Sequence, residues 1–146
     1  MIRPIKQSDR ELFLKYAYDF YHSEAVLHPV PKEYCEATFD ELIASDRYLE
    51  GFILEQENKP IGYALLSKSF SPEVGGPIIW IEEIYLVPAA RGMGFGKSFF
   101  AFLQEHYGSN TKRFRLEAEP DNKKAIALYQ QLGYHPLPYL QMILDK

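Results

Sequence analysis

Cysteine is nearly missing from this sequence. Cys35 stands alone among 146 residues, so no disulfide can form within the chain and a cysteine-rich metal site is excluded. Basic runs are missing as well: no Lys/Arg stretch exceeds two residues, and the formal net charge is −4 at pH 7. Nucleic acid is therefore not an expected partner, because neutralising phosphates needs a basic face. No stretch approaches the ~18 apolar residues of a membrane span. The opening Met1-Ile2-Arg3-Pro4-Ile5-Lys6 meets charge at once, without the apolar centre of a secretion signal. A cytoplasmic protein with no membrane partner is the expectation. Repeats, linkers and low-complexity stretches are absent too, so residues 1–146 read as a single domain. What the chain has in quantity is aromatic: 11 Tyr and 10 Phe beside one Trp, which favours a dense core and a lined cleft over disorder.

Periodicity divides the chain into alternating elements. Residues 2–6 suit a short edge strand because of Pro4. After Ser8-Asp9, a helix is predicted from Leu12, Phe13, Tyr16, Ala17 and Phe20. Residues 22–35 carry two prolines and two histidines and read as a loop or broken helix, and residues 36–45 as a second helix. Phe52-Ile53-Leu54 and residues 61–66 flank the polar Glu57-Asn58-Lys59, a predicted hairpin. A loop over residues 71–77 precedes the strongest strand, 78–87, which Pro88 stops. An amphipathic helix follows over 92–107, a strand over 113–118, and a helix that Asp121-Asn122 caps and Gly133 ends. Residues 139–144 read as a last strand. The order predicts one α/β domain with a mixed sheet.

The most informative segment is Arg91-Gly92-Met93-Gly94-Phe95-Gly96-Lys97-Ser98, where that strongest strand turns into a helix. Unpaired backbone N–H groups at a helix start, with the positive end of its dipole, form an anion site. Glycine lets a phosphate approach those amides, and Arg91 and Lys97 add positive charge. A Walker loop does not fit, because Arg91 occupies the position of its first glycine. A dinucleotide fingerprint does not fit either, since the glycines run G-x-G-x-G.

What fits is Arg-x-x-Gly-x-Gly, and here the sequence resembles the GNAT superfamily of acyl-CoA-dependent N-acetyltransferases. The Val87-Pro88 strand exit and the pattern Asn122…Tyr129-x-x-Leu132-Gly133-Tyr134 strengthen the likeness, which is closest over residues 52–134. The resemblance implies a mixed, mostly antiparallel sheet of six to seven strands flanked by about four helices. It implies acetyl-CoA as acyl donor, without a metal, held by Arg91, Gly92, Met93, Gly94, Phe95, Gly96 and Lys97. Backbone groups of Ile84, Tyr85, Leu86 and Val87 would carry its pantetheine arm, provided the strand parts from its neighbour before Pro88. Asn122 would touch the same arm, and Tyr129 would protonate the leaving thiolate. Asn122 and Tyr129 lie seven residues apart, within about 20° on one helix face and about 10.5 Å along the axis, a spacing that suits one extended ligand.

Aminolysis of a thioester needs a neutral amine. For an alkyl amine of pKa ~10.4 this costs about 4.6 kcal/mol at neutral pH. A carboxylate can collect that proton through water or with a raised pKa. Glu82 and Glu83 interrupt the apolar run Trp80-Ile81-Glu82-Glu83-Ile84-Tyr85 on opposite faces. The resemblance favours Glu82 as the base, with Glu83 in reserve; a solvated strand end or an ion pair would explain both without chemistry. The acceptor is expected to be a small-molecule or peptide amine, its pocket shaped by residues 22–35 and 71–77 with Tyr18, Tyr21 and Tyr34 as walls. Cys35 is an alternative nucleophile. His22 and His28 are pocket or ordinary loop residues, and with Cys35 they match zinc by ligand type but by no known spacing. A non-catalytic acyl-CoA sensor or protein-binding module on the same fold is the competing function. A nucleotide enzyme using Gly96-Lys97-Ser98 is the third. The aromatic excess and the resemblance also allow a homodimer.

Overall fold

In the computed structural model, which describes residues 1–146, the strands form one layer in the order β1-β2-β3-β4-β5. They are β1 (Ile2–Pro4), β2 (Leu49–Gln56), β3 (Lys59–Ser71), β4 (Gly76–Leu86) and β5 (Arg113–Leu116). Neighbours run antiparallel except β4 and β5, which are parallel. Between β1 and β2 lie α1 (Arg10–Tyr21) and α2 (Lys32–Ala44); α3 (Phe95–Tyr107) joins β4 to β5, and α4 (Lys123–Gln131) follows β5. The mixed sheet and four α-helices agree with the expected class. The strand count does not.

Five strands form in place of six to seven, and residues 139–144 are not a strand. Alternating apolar residues make a strand only where an edge and a buried face receive them. Here those side chains point into solvent. Two other boundaries moved for local reasons. Pro31, with φ near −57°, sets up a helix start at Lys32, so α2 begins four residues before the expected Glu36. The β2–β3 hairpin turns on Glu57 and Asn58, both at positive φ, which matches the twist of the paired strands and lengthens both of them.

The feature that matters most for function is a bulge in β4. Leu65 pairs with Glu83 and Leu66 with Ile81, leaving Glu82 as an extra residue. An extra residue inverts the alternation of side chains beyond it. Ile79 and Ile81 accordingly join Phe99, Phe100 and Leu103 of α3, with Ala64 and Leu66, on one face. Glu83 and Tyr85 turn to the other face, where Tyr85 joins Phe13, Tyr16, Phe20, Cys35, Phe39 and Tyr63 beneath α1 and α2. Phe39 is fully buried there, with its ring 5.5 Å from that of Phe13. Phe39→Ala is expected to cost about 3–5 kcal/mol, seen as a lower urea midpoint at an unchanged denaturant slope.

Candidate active site

The pairing of β4 with β5 ends at Ile81 and Leu116, whereas β4 runs on to Leu86 against β3 alone. Its last five residues, Glu82–Leu86, therefore keep one backbone edge open. That edge leads through Val87 and a 3-10 turn (Pro88–Ala90) into the glycine loop. Gly92 and Gly94 sit at φ +77° and +90°, and a Cβ on either would meet nothing within 4 Å. The loop needs these two glycines for backbone conformation, and its outer face is open. Gly94 is the cap of α3, and no side chain caps that end, so the first N–H groups of the helix remain free for an anion. Arg91 Nε donates to the Leu86 carbonyl at 2.9 Å, and its guanidinium lies 5.8 Å from the centroid of the Tyr85 ring, which ties the loop to the open edge. Met93 is exposed and Gly96 faces Leu128 of α4.

The two glutamates part company. Glu82, the bulge residue, is exposed and accepts a hydrogen bond from Ser67. Glu83 is only 8 % exposed and accepts from two phenols, Tyr21 on one oxygen and Tyr63 on the other. Burial raises the Glu83 carboxyl above its ordinary range; the two phenols pull it back, and the charge of Glu82 adds to the rise. Burial, and then the Glu83 charge, push both phenols up, so they stay protonated and donate. Neither phenol was singled out from sequence as a partner of this carboxylate. The available signal was Tyr63, an aromatic with a polar tip at a core position, which needs an acceptor when buried.

Tyr129 lies on the opposite face of the sheet. Its ring packs edge-on against Phe100 at 5.6 Å and lies 6.2 Å from Tyr134, in the cluster that Ile84 and Leu86 border. Burial alone raises its pKa. Asn122 caps α4, its side-chain oxygen accepting from the Ala125 N–H at 3.3 Å. Val87 borders the apolar clusters of both faces, so the open edge of β4 is where the two sides of the sheet communicate.

The family model of the acetyltransferase (GNAT) family matches residues 12–134. This chain is a member of that family. It is 32% identical over 83 residues to the uncharacterized N-acetyltransferase YhfO of Bacillus subtilis, covering 56% of each chain. The chain spans about half the length of the curated relatives it matches. Among solved structures, a possible acetyltransferase from Clostridium difficile 630 superposes with a TM-score of 0.85 at 18% identity, covering 100% of this chain and 97% of that one. The aminoglycoside N-acetyltransferase AAC(6')-Iy, in complex with a CoA-S-monomethyl-acetylneamine bisubstrate analogue, superposes with a TM-score of 0.80 at 19% identity, with coverages of 100% and 97%. At such identities these structures establish the fold.

In this GNAT chain a cavity of about 240 Å³ opens beside Glu83, lined by Phe13, Tyr21, Val30, Tyr34, Cys35 and Thr38 among others. A larger one of about 570 Å³ shares Tyr21, Val30 and Cys35 with it and reaches Tyr18, His22, Glu11 and Glu36. Residues 71–77, expected to help shape the pocket, line neither; they form the strand ends and the turn between β3 and β4. His22 stacks on Tyr18, while His28 is exposed and lines neither cavity. Burial and the Glu83 charge raise the Cys35 thiol, the opposite of what a thiolate nucleophile requires.

Proposed function

We propose that this protein transfers an acetyl group from acetyl-CoA directly to a primary amine. The open edge of β4, running straight into the glycine loop, carries this reading. It supplies backbone donors and acceptors for an amide-bearing arm, as an added strand would use them, and ends at free helix N–H groups suited to a diphosphate. Bound there, acetyl-CoA contributes an activated thioester. The acceptor amine reaches the other end of that edge from the Glu83 cavity, where one carboxylate sits among apolar walls. Such a pocket suits an amine on a slender apolar stem, with the polar remainder in the larger, mixed-charge cavity outside. The complex of AAC(6')-Iy with the bisubstrate analogue CoA-S-monomethyl-acetylneamine supports an amine acceptor.

Glu83 collects the ammonium proton, directly or through one water, and passes it to solvent. Its raised pKa narrows the gap to the amine, and each oxygen retains a lone pair beyond the phenol it holds. The nitrogen then bonds to the acyl carbon as the carbon–sulfur bond breaks. Tyr129 gives its proton to the departing thiolate, and the second proton lost by the nitrogen replaces it. A phenol near 10 donating to a thiol near 8.5 is uphill by about 2 kcal/mol in water; a shared apolar site raises both pKa values, so burial need not widen that gap.

Acetyl-CoA is expected to raise the melting temperature strongly and ATP much less, with thiol release in the presence of an amine panel as the readout of turnover. Stabilisation without thiol release from any amine would favour the sensor alternative. Gly94→Asp places a side chain at φ +90° and a negative charge before the anion site. It should weaken acetyl-CoA binding by about 10- to 100-fold, about 1.4 kcal/mol per factor of ten. Unchanged binding would discredit the loop as the donor site.

A further inference from the structure

The larger cavity takes no part in the proton chemistry, yet it adjoins the site where that chemistry is placed. Its volume of about 570 Å³ falls within the range of about 300–1,000 Å³ typical of small-molecule sites. Tyr21, Val30 and Cys35 border both it and the Glu83 cavity. Its charged wall is not acidic. Arg10, Glu11, Lys15, Lys32 and Glu36 line it, three cations against two anions. Arg10 is held by Asp40, which is not part of the lining, so two charges of each sign remain. One pair of these flanks Cys35 on α2: Lys32 Nζ stands 3.3 Å from Glu36 Oε1. The Lys32 side chain is 74 % exposed, so the pair contributes little to the fold and stays open to a ligand. Opposite charges held that close, beside the passage to Glu83, suit a molecule that carries both signs on neighbouring groups.

We propose that the acceptor is a free diamino acid, with its side-chain amine at Glu83, its α-carboxylate at Lys32 and its α-ammonium at Glu36. The assignment rests on the reading of the Glu83 cavity as the acceptor site. In this placement the two head charges and the two side-chain charges alternate in sign, so each meets its opposite. The stem passes Cys35 on its way between the cavities, and helical rise puts Lys32 only about 4.5 Å from Cys35 along the α2 axis. An unbranched stem fits that passage, because Tyr21 and Val30 border it as well. Other amines match the wall less well. A diamine or an aminoglycoside brings positive charge alone, and Lys15 and Lys32 repel it as much as Glu11 and Glu36 attract it. A lysine within a peptide has neutral amides where both head charges belong, which leaves the ion pair without a partner.

Thiol release from acetyl-CoA tests this with a panel that removes one head charge at a time. L-lysine and L-ornithine carry both, cadaverine and putrescine lack the carboxylate, 6-aminohexanoate lacks the α-ammonium, and Nα-acetyl-lysine amide lacks both. The better of the two diamino acids should exceed its own diamine and the doubly neutral amide by about 10-fold or more in kcat/KM, chiefly through KM. Lys32→Glu should reverse the order, lowering kcat/KM for the diamino acid by about 10-fold and raising it for the diamine. Glu36→Gln should weaken the diamino acid and leave 6-aminohexanoate the less affected of the two. A wild type that uses the diamine or the neutral amide as well as the diamino acid would overturn the proposal while leaving acetyl transfer to an amine in place. A preference indifferent to both substitutions would overturn it equally. Absence of thiol release from any amine, with acetyl-CoA bound, would remove the acceptor site and this assignment together. Both substitutions lie on exposed positions of α2, and should either fail to fold, the wild-type panel alone decides.

Discussion

Glu83→Gln is expected to lower kcat/KM for amine acetylation by about 10²- to 10⁴-fold, the range for loss of a positioned general base. The substitution keeps the shape of the side chain but removes its ability to take a proton. The wild-type rate should fall as pH drops through the pKa of Glu83. Burial places that pKa above the ordinary glutamate range, so the acidic limb should lie higher than an exposed carboxylate would set it. In the variant that limb should vanish. Stability has the opposite sign. A carboxyl whose folded pKa exceeds its unfolded value binds protons more tightly when folded, and this contribution is complete below the unfolded pKa and lost as pH rises through the folded one. The glutamine should remove that dependence while leaving one phenol, Tyr21 or Tyr63, short of an acceptor, at a cost of about 1–3 kcal/mol. Binding of acetyl-CoA should be nearly unaffected, because the donor loop lies beyond the other end of the open edge. Full activity in Glu83→Gln beside a large loss in Glu82→Gln would assign the proton to the bulge residue instead.

Tyr129→Phe should reduce kcat by about 10²- to 10⁴-fold with little change in acetyl-CoA affinity. The ring that packs on Phe100 and Tyr134 remains, so the fold should survive. Only the hydroxyl is lost. No charged neighbour shifts Tyr129, which leaves burial to keep the phenol protonated well above neutral pH. The split between binding and turnover separates the two roles open to this residue. Because the ring is kept, a packing role predicts intact turnover at an unchanged melting temperature, whereas a proton donor predicts lost turnover at an unchanged melting temperature. Stopped-time thiol release with acetyl-CoA binding measured in parallel gives the answer, and equal rates would remove Tyr129 from the chemistry.

Much of the scaffold could be read along the chain. The stripe Phe13, Tyr16, Ala17 and Phe20 packs as α1, and Phe99 and Leu103 pack as part of α3, because helical spacing alone brings such side chains to one face. The glycine loop was legible for the same local reason: its two αL glycines are demanded by the backbone at the helix start. Family membership followed from that loop and from the Asn122…Tyr129 spacing, and the family match spans both.

Which glutamate is buried was not legible. Strict alternation puts Glu82 and Glu83 on opposite faces but does not say which face each takes, and the answer depends on a bulge that exists only because β3 pairs Leu65 with Glu83 and Leu66 with Ile81. The parting of β4 from β5 after Ile81 is likewise a relation between two chain segments that are distant in sequence. Residues 139–144 show the converse. Their alternation is plain, yet no strand forms, because an extended segment becomes one only when an edge receives it. Spacing along the chain is a local property, so helix faces and glycine turns could be read from it. Register, edge pairing and the burial of a single charge are decided by which segments meet, and that was settled only when the sheet assembled.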